Sequence, residues 1–172
     1  MSIGQGFGGG FGGGIGQGAG IQYFGIGGGN EINPTVERGV YNVRTPTSLP
    51  VRFSQSKVLR LVVVPVNDWC TINLRGGGDI ALHFNLRFAE RSTVRNAKIN
   101  GNWGGEERDG GFPFERDQIY TLEFIPQSHN DSVAVFLNGQ HFTDFRLRTR
   151  LYEIDTVEIE DGFKVHSVQA FS

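Results

Sequence analysis

The chain has 172 residues, a formal net charge of −2 and a pI near 6.1. That length suits one sizeable domain, and the charge balance offers no basic excess for nucleic acid. Its single cysteine, Cys70, excludes an internal disulfide framework and suits a reducing compartment.

Residues 1–30 hold 15 of the 26 glycines and no charged residue, the first being Glu31. Such a segment loses much chain entropy on ordering and has little apolar surface to bury, so residues 1–32 are expected to form a disordered glycine-rich tail. Phe7, Phe11, Tyr23 and Phe24 dot it and could give weak self-attraction, hence a weak homo-oligomer. The start "MSIGQGFGGG" shows no basic stretch followed by an apolar core, so no secretory signal is visible. The longest apolar run, Leu61 to Val66, is too short to span a bilayer. The expected location is cytoplasmic, without membrane insertion; the way out to the extracellular space would be a non-classical route.

Residues 33–172 read as one all-β domain. Short β-rich runs recur at 58–66, 70–75, 80–88, 93–99, 118–125, 132–137, 140–147, 156–160 and 163–171, bounded by Gly, Asn, Asp and Pro. Asn100-Gly101 and Asn138-Gly139 are hairpin signals, because both central residues of a type I′ turn need positive φ. No segment carries a sustained helical period. The pattern predicts an antiparallel sandwich or barrel, with many of the fourteen Phe residues in its core.

The run "HFNLRF" (83–88) alternates polar and apolar residues. In a strand, His83, Asn85 and Arg87 stand on one face at roughly 7 Å per step, with Phe84, Leu86 and Phe88 on the other. After the next strand the chain folds back through Asn100-Gly101, which brings Asn96, Trp103, Glu106 and Arg108 within cross-strand reach. A sugar suits this set: an indole can lie under its C–H face while amides and charged groups bond its hydroxyls. Arg87 and Arg108 can flank Glu106 and keep it ionised. As the only carboxylate expected in the patch, Glu106 lacks the partner a glycosidase would usually need, so binding without catalysis is expected. His129, His141 and His166 have no metal-ligand spacing, so no metal or cofactor is assigned. Trp69 and Cys70 head a strand as packing residues.

"HFNLRF", "VRN" (94–96) and "WGGEER" (103–108) together resemble the sugar-binding signature of the galectins. "INLRGGGDIALHFN", "FPFERDQIYTLEF" and "VAVFLNGQHFTDFRLR" are similar to the flanking strands of that family. The resemblance implies a jelly-roll sandwich of two antiparallel sheets that binds β-galactoside glycans, on glycoproteins or glycolipids, without metal. It also implies roles: His83, Asn85 and Arg87 at the axial 4-hydroxyl of galactose, Asn96 and Glu106 at the 6-hydroxyl, and Trp103 beneath the ring. Arg87, Glu106 and Arg108 would reach the 3-hydroxyl of the neighbouring sugar. Leu86 departs from the proline common there, "FAERST" is a short connection, and Arg95 puts a charge where an apolar or thiol residue is usual. The competing expectation is a galectin-like structural or protein-interaction module with weak or lost sugar binding.

Overall fold

The computed structural model describes Val36 and residues 39–172; the glycine-rich tail, and the self-association expected of it, lie outside the described residues. Among the described residues, twelve strands form two six-stranded antiparallel sheets. One contains β1 (Val40–Val43), β3 (Val58–Pro65), β8 (Tyr120–Gln127), β9 (Ser132–Leu137), β10 (Gln140–Arg146) and β12 (Phe163–Phe171), in the order β1-β12-β3-β8-β9-β10. The other contains β2 (Thr47–Pro50), β4 (Trp69–Gly76), β5 (Asp79–Arg87), β6 (Ser92–Ile99), β7 (Asn102–Trp103) and β11 (Thr156–Ile159), in the order β2-β11-β4-β5-β6-β7.

Alternation in the sequence builds the core between them. In β3, Leu59, Leu61 and Val63 are buried while Val58, Arg60, Val62 and Val64 are not. Phe84 and Leu86 of β5 point inward as expected, and Phe84 meets Phe124 of the facing sheet edge-on at 5.6 Å. The two Asn-Gly pairs make hairpins, with φ of 51° and 80° at Asn100-Gly101 and 49° and 83° at Asn138-Gly139. The strands β1, β2 and β7 add to those visible in the sequence; they are too short to display a period.

Arg95, on β6, is wholly buried between the sheets. One of its terminal nitrogens donates to the carbonyls of Thr93 and Asp109, both at 2.7 Å, and the other to Asp109 Oδ1 at 2.8 Å. The backbones of Arg95 and Glu107 exchange two hydrogen bonds of 2.8 Å. This pins the segment after β7 against the sheet and fixes the direction of Glu106 and Arg108.

Candidate carbohydrate-binding site

The register of the second sheet assembles the polar row. His83 lies opposite Asn73 on β4 and Asn96 on β6. A groove of about 470 Å³ runs across this face, lined by Trp69, His83, Arg87, Asn96, Trp103, Gly104, Glu106 and Glu160. A larger hollow, about 640 Å³, lies between residues 129–131 and 146–150, but no indole or phenyl ring lines it. It lacks the apolar platform that a sugar face needs.

His83 is nearly buried. Its Nδ1 lies 2.8 Å from Asn73 Oδ1. The amide of Asn73 is oriented by two carboxylates, since its Nδ2 donates to Glu158 at 2.8 Å and to Glu160 at 3.1 Å. Oδ1 therefore faces His83 as an acceptor, Nδ1 carries the proton, and Nε2 keeps a free lone pair. Burial, helped by the Arg87 charge and opposed by Glu106, lowers the His83 pKa to about 4, so the ring is neutral at physiological pH.

Arg87 is held on three sides. Its Nε donates to Asn85 Oδ1 at 2.6 Å, one terminal nitrogen reaches Glu106 at 2.9 Å, and the other reaches Glu90 at 3.5 Å. Its guanidinium also lies over the Trp69 ring, 4.5 Å from the centroid. Of its five N–H donors, two stay free for a ligand. Asn85 is wholly buried and does not line the groove. Its Nδ2 donates to Cys70 O and Thr71 Oγ1, so its part is to aim Arg87.

Asn96 Oδ1 accepts from the Ala97 amide and from Arg148, both at 2.8 Å, and its Nδ2 donates to Gly104 O, leaving one N–H. Glu106 receives Arg87 on Oε2 and one nitrogen of Arg108 on both oxygens, at 3.2 and 3.3 Å. A carboxylate offers about four lone-pair sites, so one remains on Oε1. Arg108 is tied to Glu90 as well, at 3.3 Å, and stands outside the groove lining. Trp103 is 48% exposed and meets the His83 ring at 4.8 Å, a platform beside the acceptor nitrogen.

Two residues differ from their sequence expectation, and a third carried none. Trp69 is 51% exposed and forms a wall of the groove; Arg87, a strongly polar neighbour, holds its ring on the surface. Glu106 is not the sole carboxylate, because the strand pairing brings Glu160 to the groove and the short β5–β6 turn brings Glu90 to both arginines. Arg148 had no motif to mark it. Besides Asn96, it grips Gly105 O at 2.8 Å and Glu107 at 3.2 Å, binding the loop after Trp103 to β6. Gly104 leaves it room, since a Cβ there would stand 2.3 Å from the Arg148 guanidinium. Among the described residues, no group of three or more His, Cys, Asp or Glu could hold a metal.

The galactoside-binding lectin family matches residues 44–170. The chain belongs to that family, the galectins. Galectin LEC-6 of Caenorhabditis elegans superposes with a TM-score of 0.72 at 41% identity, over 78% of this chain and 96% of that one. A 32 kDa β-galactoside-binding lectin of Haemonchus contortus is 38% identical over 96 residues, 56% of this chain and 33% of its own length. Pig galectin-4 is 36% identical over 146 residues, 83% of this chain and 43% of its own. The matched region thus spans under half the length of these two curated relatives. Sheep galectin-11, at 19% identity and a TM-score of 0.67, shares the fold.

Proposed function

We propose that this galectin binds β-galactosides in the β4–β7 groove without a metal and without catalysis. The observation that carries this reading is the convergence on one indole face, Trp103, of a free histidine acceptor, two unspent Arg87 donors, one Asn96 N–H and one open site on Glu106. The axial 4-hydroxyl of galactose donates to His83 Nε2 and accepts from Arg87. The 6-hydroxyl accepts from Asn96 and donates to Glu106. The C–H face of the ring covers Trp103. The next sugar lies toward Glu90 and Arg108, where its 3-hydroxyl meets Arg87, Glu106 and Arg108. Asn85 serves the 4-hydroxyl through Arg87.

Every ligand contact here is a hydrogen bond or a stacking face. His83 has no nucleophile beside it and is held in one tautomer by Asn73, which suits recognition rather than proton transfer. A glycan array probed with and without lactose tests the reading. Signal confined to terminal galactose and removed by lactose supports it; signal indifferent to lactose contradicts it.

A further inference from the structure

The groove does not stop at His83. On the side away from β6 it passes Trp69 and Glu160 and continues into a second hollow of about 360 Å³ over β11 and β2, lined by Pro46, Thr47, Ser48, Glu158 and Glu160. Glu158 is balanced by Arg75 at 3.1 Å. Glu160 forms no ion pair among the described residues; its hydrogen bond is the shared amide of Asn73. Among the described residues, the junction between the hollows therefore carries a carboxylate without an ion-pair partner, in the part of the groove that Trp69 lines.

Which hydroxyl faces that charge follows from the galactose ring. With C4 over β5 at His83, and C5 with its C6 arm toward Asn96 on β6, C3 must project to the other side, toward β4 and β11. Any 3-O-substituent enters the space between Trp69 and Glu160. We propose that Glu160 is a specificity-determining residue that rejects glycans whose galactose carries an anionic group on its 3-oxygen, whether a sialic acid carboxylate or a sulfate ester, while neutral 3-linked sugars pass. This inference rests on the galactoside reading above. Like charges brought together at a partly buried site weaken binding by roughly three- to tenfold, and salt screens the effect.

The test is calorimetric titration of the full chain and of Glu160→Gln with four ligands: lactose, 3′-sialyllactose, 3′-sulfolactose and lactose extended by a neutral 3-linked galactose. In the wild type both anionic ligands should bind roughly three- to tenfold more weakly than the neutral trisaccharide. The gap should narrow as salt rises, a measurement that needs no variant. In Glu160→Gln, where the amide oxygen can still accept from Asn73, the gap should shrink to about twofold or less. Lactose binding with no gap in the wild type, or with a gap that survives Glu160→Gln, overturns this inference alone. Failure of lactose to bind overturns the galactoside reading and this inference with it.

Discussion

His83 Nδ1 lies 2.8 Å from Asn73 Oδ1, and that contact decides which nitrogen the groove offers a ligand. Glu158 and Glu160 both hold the Asn73 amide, so the tautomer of His83 is set two residues away from the sugar. Asn73→Ala should weaken lactose binding by about fivefold, the size of one hydrogen bond near 1 kcal/mol. Nitrogen-15 shifts of His83 should change from a single Nδ1–H tautomer to a mixture. An unchanged tautomer would remove Asn73 from the account.

The low pKa of His83 predicts an unusual acid profile. Its folded value, about 4, lies below the ordinary 6.5, so the unfolded chain takes up this proton first as pH falls. Stability from this group is complete above pH 6.5 and is lost as pH falls from 6.5 to about 4, a loss on the order of 3 kcal/mol. Denaturant titrations should show a shallower loss across that window in His83→Gln. Lactose affinity should hold level from pH 8 to 5 and fall near 4, when Nε2 becomes a donor. A fall centred at 6.5 would show the histidine to be unperturbed.

Trp103 is half exposed, so its truncation should cost the fold little and the ligand much. Trp103→Ala should lose roughly 1–3 kcal/mol of lactose binding, with a melting temperature close to wild type. Quenching or a blue shift of indole fluorescence on adding lactose is expected in the wild type. A large drop in melting temperature would assign the ring to packing instead.

Arg148 and Gly104 should fail together. Arg148→Ala frees Asn96 Oδ1 and the loop after Trp103, and Gly104→Ala displaces the same guanidinium. Each should reduce lactose affinity by roughly three- to tenfold, and the double variant should do little more than either alone, because both remove one linkage. Additive losses would contradict that coupling.

Much of this was legible in the sequence because alternation along β5 and β6 and the Asn100-Gly101 turn between β6 and β7 bring His83 beside Asn96 and return Trp103 to them. Residues outside that hairpin run were not legible. Glu160 reaches the groove from the position just past β11, 77 positions after His83 in the numbering, and the β11–β4 pairing brings it there. Arg148 sits in an ordinary charged run whose partner, Asn96, is 52 positions earlier. Arg95 could have faced either way by charge alone. Burial became affordable because two carbonyls and Asp109 meet its guanidinium.

The most direct test of the binding site compares lactose with cellobiose, which differs from it only in the configuration of the 4-hydroxyl on the non-reducing sugar. His83 Nε2 and Arg87 are placed for the axial group; an equatorial one leaves both without a partner in a nearly buried corner of the groove. Calorimetry should show lactose binding and no measurable heat from cellobiose under the same conditions. Equal affinity for the two sugars would contradict the account.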